Sequence, residues 1–340
     1  MHMADALLSP AAGGTMWGVS AGAIIYCSRK LRQEMDGGKA PLMGVLGAFL
    51  FAAQMINFTI PATGSSGHLG GGLLLAVLLG PAAAFVTIAS VLVVQALFFA
   101  DGGLLALGCN IFNLGFLPAF VAYPFIYKPL AGSAPRKPRI SMAAMVAAII
   151  GLQMGAFAVV LETVASGVSS LPFATFVSLM QPIHLAIGMV EGMVTGAVVS
   201  FVYQARPEII QNVQETRPLG ATPLRNILAA FLAVALLTGG FVSWFASEKP
   251  DGLEWAIAKI TGAEEFAEPQ DGLHARLAAL QESVAFLPDY TFKKPVQQPE
   301  NLAGQESSLG TSVAGIVGGL LTLAIAFLSG IFLRKQGRVA

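Results

Sequence analysis

Long apolar runs alternate with short polar segments along almost the whole chain of 340 residues. A helix of about 20 apolar residues is long enough to cross the hydrocarbon core of a membrane. Most of the runs reach that length, and a Gly-Pro pair at 80–81 separates a short run from the next one. We therefore predict an all-α polytopic membrane protein with about nine transmembrane helices, centred on residues 13–28, 42–60, 69–80, 81–100, 104–127, 142–165, 174–203, 226–246 and 309–333.

The composition also favours a membrane protein. Hydrophobic residues make up 55% of the chain and charged residues 11%, whereas a soluble domain carries about 25% charged residues. The formal net charge of +0 gives no indication of nucleic-acid binding. Cys27 and Cys109 lie inside or at the edge of apolar runs, and we interpret them as small buried residues, not as a disulfide or as metal ligands.

The basic residues predict the orientation in the membrane. We expect no secretory signal peptide, because the first basic residue is Arg29 and Ser9-Pro10 breaks the early apolar stretch. If the spans alternate, 14 of the 19 Lys and Arg residues share one side, which the positive-inside rule makes cytoplasmic. We therefore predict an extracytoplasmic N-terminus and a cytoplasmic C-terminus. The 14 residues are Arg29, Lys30, Arg32, Lys39, Lys128, Arg136, Lys137, Arg139, Arg206, Arg217, Arg225, Arg334, Lys335 and Arg338.

A polar segment of about sixty residues, 247–308, separates the last two apolar runs. It holds 11 of the 19 acidic residues and the five remaining basic ones, which gives it a net charge of −6. An acidic loop of this kind could raise the local concentration of cations, or it could be a solubilising linker of partly irregular structure. We expect His274, within this segment, to be solvated.

The predicted topology brings two histidines to the same face of the membrane. Met1 and His2 begin the chain, and His68 lies in the Gly- and Ser-rich loop PATGSSGHLGGG between the second and third spans. The α-amine of Met1, the amide nitrogen and imidazole of His2 and the imidazole of His68 could form a square of nitrogens, which suits Ni(II) or Cu(II) better than zinc. From these residues alone, a metal site and two unrelated surface histidines remain about equally plausible.

Four segments form a recognisable set of motifs, which in chain order are MHMADALLSP, TGSSGHLGGGLLLAVLLGP, VQALFFADGGLLALGCNIFNLG and HLAIGMVEGMVTG. Together they resemble the substrate-binding subunit of energy-coupling-factor (ECF) transporters for nickel and cobalt. The later segment PDGLEWAIAKITG resembles the small companion subunit of nickel systems. The chain start reads Met-His-Met-Ala, whereas Met-His-Ile-Met is frequent in that family. Met3 could supply an axial thioether or pack in the interior, and we favour packing.

The resemblance implies two domains and a set of partners. Residues 1–225 would form a seven-helix metal-binding subunit, and residues 226–340 a two-helix companion with the extracytoplasmic loop 247–308. The metal ligands would be Met1, His2 and His68, holding Ni²⁺ or Co²⁺ as the transported ion, with no cofactor and no enzymatic activity. The implied partners are a transmembrane coupling subunit and cytoplasmic ATPase subunits, in the cell membrane of a bacterium or archaeon. The companion segment favours nickel over cobalt.

Seven further polar residues lie in or beside the apolar runs, where such groups are functional candidates. Four of them could hydrogen-bond to the metal ligands and hold them in position: Asp101, Asn110, Asn113 and Gln95. Asp101 could instead cap a helix, and the other three could form interhelical hydrogen bonds. We expect Glu162 to reach the membrane interface. His184 and Glu191 share a helix face, and they could relay a proton or anchor the helix by hydrogen bonds to its neighbours. We favour the anchoring role, because glycines at 188, 192 and 196 indicate close helix packing.

Two other classes of function compete with a binding subunit. A proton-coupled secondary metal transporter could use His184, Glu191 and Glu162, but that class favours internal repeats, which the sequence does not show. An intramembrane metalloenzyme is disfavoured, because the sequence has no H-E-x-x-H motif. The sequence also has no G-x-x-x-x-G-K-[ST] phosphate loop, so any ATP hydrolysis would need a separate protein.

Overall fold

The computed structural model describes residues 2–132, 136–220, 222–264, 266–267, 269, 272–293 and 303–337, with the backbone alone for 303–307. The described part is mostly helical. Its helices are α1 Pro10–Glu34, α2 Lys39–Gln54, α3 Gly72–Leu79, α4 Pro81–Phe99, α5 Leu107–Ala131, α6 Lys137–Ser166, α7 Phe173–Ala205, α8 Pro207–Gln214, α9 Arg225–Gly240, α10 Gly252–Thr261, α11 Gly272–Val284 and α12 Ala303–Gly337. Short 3₁₀ turns lie at Asp5–Leu7, Val242–Phe245 and Pro288–Tyr290.

Five of the described helices are long and apolar enough to cross a membrane. They lie at Pro81–Phe99, Leu107–Ala131, Lys137–Ser166, Phe173–Ala205 and Ser308–Gly337. Two shorter apolar helices, α2 and α9, have 16 residues each. α3 has only eight residues, because Gly71 and Gly80, both at positive φ, bound it on either side. The helical membrane character is therefore confirmed, but the predicted count of nine spanning helices is not.

The predicted second span is shorter than its apolar run. α2 ends at Gln54, and the chain then forms a two-stranded antiparallel hairpin of β1 Phe58–Ile60 and β2 Ser65–Gly67, with Thr59 opposite Ser66. The sequence analysis missed this hairpin, because each strand has only three residues and the first continues the apolar pattern of the helix. The hairpin delivers the loop that carries His68.

α6 and α7 pack closely against each other through a row of glycines. A Cβ atom at Gly188, Gly192 or Gly196 would lie 2.7–3.1 Å from a backbone Cα atom of α6. Only glycine allows this approach of the two backbones. The close packing predicted from the glycine spacing is therefore confirmed.

The last two long helices pack on the first part of the chain. α12 lies against α2, where a Cβ at Gly44 would be 3.0 Å from the Leu323 carbonyl, and α9 packs against both. α9 and α12 approach each other at Gly239 and Gly315. The described part of the polar segment between these two helices contacts the segment before α1, through His274 and the Leu8 carbonyl.

Candidate metal site at the start of the chain

The segment of residues 2–8 is inserted into the helix bundle. The side chain of Met3 is fully buried in the apolar core, which is the packing role favoured from the sequence. The Met3 N–H donates to Asn110 Oδ1 at 2.8 Å, and the Asn110 amide donates back to the Met3 carbonyl at 3.3 Å. One turn later, Asp5 accepts a hydrogen bond of 2.9 Å from the Ala106 N–H. These bonds fix the backbone that carries His2.

His2 and His68 meet beside this segment. Their rings are stacked, with centroids 4.9 Å apart and 7° between the planes, and each side chain is about 8% exposed. His68 Nδ1 donates to the Leu69 carbonyl at 3.1 Å, so its Nε2 keeps the lone pair. Burial disfavours the charged ring and lowers the pKa of His68 to about 3. His68 is therefore neutral at ordinary pH, which is the form that ligates a metal.

Asp101 is the direct partner of His2. Its Oδ1 lies 3.0 Å from His2 Nδ1, and its Oδ2 accepts a hydrogen bond from the Tyr290 hydroxyl. Burial alone would raise the pKa of Asp101, but His2 and the hydrogen bonds from His2 and Tyr290 hold that pKa well below its usual range. Asp101 therefore carries a negative charge next to the two imidazoles.

The loop that carries His68 is held by the segment Pro250-Asp251-Gly252. The Ser66 N–H donates to the Pro250 carbonyl at 2.8 Å, and the Ser66 hydroxyl donates to the Lys249 carbonyl at 2.7 Å. Asp251 caps α10 by accepting from the N–H groups of residues 253 and 254, and Glu254 accepts from the Asp251 N–H in return. This capping box gives α10 a fixed start directly against the hairpin.

A cavity of about 530 Å³ opens beside the two histidines. Four carboxylates line it together with His2 and His68, and none of the described lining residues is Lys or Arg. Such a cavity attracts cations. Burial raises the pKa of Asp289, and the nearby Asp101 charge acts in the same direction. The four carboxylates are those of Asp101, Asp251, Glu254 and Asp289.

Comparison with known proteins places the chain in a protein family. The sequence profile of CbiM, the cobalt uptake substrate-specific transmembrane region, matches residues 2–209. The chain belongs to the CbiM family. A second profile, the PDGLE domain, matches residues 225–335 of the same chain. We refer to these segments as the CbiM region and the PDGLE region.

Similar proteins cover both regions. A protein of Archaeoglobus fulgidus, provisionally named as a fused nickel transport protein NikMN, is 32% identical over 96% of this chain and 97% of its own. The fused nickel transport protein NikMN of Rhodobacter capsulatus is 30% identical over 85% of this chain and 88% of its own. The crystal structure of a truncated transition metal transporter has 29% identity and a TM-score of 0.54, over 60% of this chain and 99% of that one. The resemblance stated from the motifs is confirmed.

The predicted supporting residues of the CbiM region fall into two groups. Asp101 and Asn110 contact the inserted N-terminal segment directly. Gln95 donates to Gln54 Oε1 at 3.0 Å, and Gln54 donates to the Gly70 carbonyl at 2.9 Å, so Gln95 supports the His68 loop through an intermediate residue. Asn113 forms the second group, which does not contact the site, because its amide donates to Glu162.

The three intramembrane ionisable residues have separate partners. Glu191 accepts from the N–H groups of Gly70 and Gly71 at 2.8 and 3.0 Å, and so anchors the loop that follows His68. His184 Nδ1 donates to the Met180 carbonyl of its own helix at 2.8 Å. Glu162 is half-buried and accepts from Asn113 at 2.7 Å. The expectation that it reaches the membrane interface stays a prediction.

His274 is buried, so the expectation that it is solvated is wrong. It is 7% exposed, and its Nε2 donates to the Leu8 carbonyl at 2.8 Å. This hydrogen bond joins α11 to the segment that precedes α1. Sequence reasoning missed Ser66, Asp251 and Tyr290 as neighbours of the site. The D-x-x-E spacing at 251–254 is a readable capping signal, but it does not indicate where the helix docks.

Met1 lies outside the described residues. Within the described residues, we find no group of three or more His, Cys, Asp and Glu side chains arranged to hold a metal ion. A site built from His2 and His68 therefore needs further ligands, and main-chain nitrogens at the chain start could supply them.

Proposed function

We propose that this protein captures Ni²⁺ or Co²⁺ as the substrate-specific component of an ATP-driven ECF importer. The CbiM profile and the names of the NikMN relatives support transport of these metals. The proposed ligands are the Met1 amine, the amide nitrogen and imidazole of His2, and the imidazole of His68. The adjacency of His2 and His68 is the observation that carries the proposal, since hydrogen bonds inside the bundle fix both backbone segments.

Chelate chemistry explains why the chain start would be a ligand. An ion bound to the terminal amine and to the next amide nitrogen closes a five-membered ring. The same amide nitrogen and Nδ1 of the His2 imidazole close a six-membered ring, which shares one edge with the first. Three nitrogens then lie near one plane, and Nε2 of His68 would complete the square that Ni(II) favours. This geometry and the PDGLE region favour nickel over cobalt.

The acidic cavity supports capture of a cation from the extracytoplasmic side. Its four carboxylates would concentrate divalent ions next to the histidines. In this proposal the N-terminus is extracytoplasmic and the C-terminus cytoplasmic. Residues 1–225 form the metal-binding domain, and residues 226–340 form a companion domain that stabilises its loops. A transmembrane coupling subunit and cytoplasmic ATPase subunits would drive inward release.

Transport in proteoliposomes tests this proposal. We expect uptake of radiolabelled nickel to require the coupling subunit, the ATPase subunits and ATP. His2→Ala and His68→Ala should each abolish uptake. Asn57→Ala should not, because Asn57 lines the same cavity but has no proposed role. Nickel uptake by the chain alone, without the ATPase subunits, would contradict the proposal.

The alternative is a proton-coupled secondary transporter that uses His184, Glu191 and Glu162. Their separate hydrogen-bond partners do not favour this alternative, since a relay needs neighbouring groups to exchange protons. Under ATP-driven transport, a proton ionophore should leave uptake into proteoliposomes unchanged while ATP is supplied inside. Loss of uptake on adding the ionophore would favour the alternative.

A further inference from the structure

Gln281 of the PDGLE region reaches the turn of residues 100–103 in the CbiM region. It lies in α11 two helical turns after His274, so the two side chains leave the same face of that helix. His274 bonds to the segment before α1. The Gln281 amide donates to the carbonyls of Ala96 and Gly102, at 2.9 and 2.8 Å. α11 is therefore fastened to the CbiM region at two points beside the chain start.

The amide of Gln281 ties this turn to the end of α4. Ala96 lies in the last turn of α4, where carbonyls have no partner within the helix, and Gly102 follows the helix by three residues. One side-chain N–H₂ group thus holds both carbonyls together. The Phe98 carbonyl, at the same helix end, accepts from the Leu287 N–H at 3.3 Å. The PDGLE region therefore caps α4 at two carbonyls.

The same turn packs against the start of the chain. The Gly103 N–H donates to the Met3 carbonyl at 2.9 Å. A Cβ atom at Gly102 would lie 3.3 Å from the His2 Cβ, and a Cβ atom at Gly103 would overlap the Asp5 side chain. Only glycine allows so close an approach of two backbones. The path of the turn therefore determines where the backbone that carries His2 lies.

These contacts leave the proposed ligand atoms available. Each hydrogen bond from Gln281, and the bond from Gly103, ends on a main-chain carbonyl and not on a nitrogen of His2. The contact between Asp101 and His2 Nδ1 is different, because the proposed chelate uses that nitrogen and the ion would replace the contact. The path from Gln281 through the turn can persist with the ion bound.

We propose that Gln281 is a positioning residue of the metal site, which fixes the 100–103 turn against the end of α4 and so holds the inserted chain start where it can bind the ion together with His68. This inference rests on the proposed function, because it takes the chain start as a ligand. It gives one side chain of the PDGLE region a defined role in a site built in the CbiM region.

Isothermal titration of the full-length protein with Ni²⁺ tests the inference. Gln281→Met keeps the length of the side chain and removes the donor. We expect about fivefold weaker binding, which corresponds to about 1 kcal/mol, the net value of a typical hydrogen bond. Ser283→Ala is the matched control in the same helix, because the Ser283 hydroxyl donates only to the Leu280 carbonyl of α11 among the described residues. It should bind like the native protein.

The charge of the cavity gives a second test, in which positioning and electrostatics predict opposite results. Gln281 lines the acidic cavity, so Gln281→Glu adds a carboxylate that attracts the ion, but an ionised carboxylate cannot donate to the two carbonyls. We expect this variant to bind Ni²⁺ more weakly than the native protein. Asn57→Asp adds the same charge to the same cavity from outside α11 and the turn, and it should bind at least as tightly as the native protein.

Hydrogen exchange separates positioning from a general loss of stability. In the metal-free protein, the Gly103 amide should exchange faster in Gln281→Met than in the native protein, because its bond to the Met3 carbonyl loosens. The amides of α7 should keep their native rate. A general loss of stability would raise the exchange rate at both places and would overturn the inference.

The outcomes distinguish this inference from the proposed function. Native affinity in Gln281→Met, or tighter binding in Gln281→Glu, would overturn the inference, while loss of binding in His68→Ala would keep the proposed function. Native affinity in His68→Ala, or no binding of Ni²⁺ by the native protein, would overturn the proposed function and the inference together.

Discussion

The N–H of Ser66 donates a hydrogen bond of 2.8 Å to the carbonyl of Pro250 and so joins the CbiM region to the PDGLE region two residues before His68. The Ser66 hydroxyl adds a second bond, to the Lys249 carbonyl. Both acceptors are backbone atoms. The docking therefore depends on the path of the chain at Pro250-Asp251-Gly252 more than on the side chains there, and the start of α10 fixes that path.

The cap at Asp251 should determine the stability of α10. Asp251→Ala removes the acceptor for two N–H groups, and loss of such a cap costs about 1 kcal/mol. We expect the backbone amides of α10 to exchange about fivefold faster in hydrogen-exchange mass spectrometry. Glu254→Gln is the matched control, since glutamine also completes a capping box. Equal exchange in both variants would show that Asp251 does not stabilise α10.

The glycine row between α6 and α7 should tolerate no side chain. A Cβ at Gly192 would lie 2.7 Å from the Met145 Cα, so Gly192→Ala forces the helices apart at a cost of about 1–3 kcal/mol. The unfolding temperature in detergent should fall. Gly18→Ala in α1, where a Cβ would meet nothing within 4 Å, should leave that temperature unchanged or raise it. A native unfolding temperature for Gly192→Ala would contradict the packing described.

Glu191 should matter as an anchor of the His68 loop. Its carboxylate accepts from two N–H groups, whereas glutamine can accept only one of them and would leave the other unpaired, at a cost of about 1–3 kcal/mol. Glu191→Gln should therefore lower both the unfolding temperature and the affinity for Ni²⁺. Glu162→Gln is the control, because it can still accept the hydrogen bond from Asn113. Equal behaviour of the two variants would argue against the anchor.

Nickel binding should weaken in acid. The proposed amine and amide ligands must lose protons to bind, and a free α-amine has a pKa near 8. Burial lowers the pKa of His68 to about 3, so this imidazole is already neutral and adds nothing to the pH dependence above about pH 4. As the pH falls, protons compete with the ion for the other nitrogens, and the loss should be pronounced below about pH 6. Titration calorimetry across this range measures it, and a pH-independent affinity would contradict these ligands.

Much of the helical architecture follows from the hydropathy pattern, since long apolar runs have few alternatives in a membrane. The glycine spacing in α7 also predicts its packing, because small residues at four-residue intervals lie on one helix face. The hairpin at Phe58–Gly67 does not follow, because its strands are too short to show a period of two.

The candidate site is only partly readable from the sequence. The placement of His2 and the Gly-rich loop at His68 indicate metal chemistry, and the structure brings these two residues together. The contributions of Tyr290 and His274 could not be predicted, because they depend on how a polar segment folds back over the start of the chain. Local pattern carries no information about such long-range contacts.

Calorimetric titration of Ni²⁺ into the protein with its native chain start, compared with a form that carries a few extra residues before Met1, tests the central claim most directly. The same residues added at the C-terminus are the control. If the chain start is a ligand, the N-terminal extension should abolish tight binding while the C-terminal extension leaves it intact. Equally tight binding by the N-terminally extended protein would contradict the account, because the amine would no longer be free to coordinate the ion.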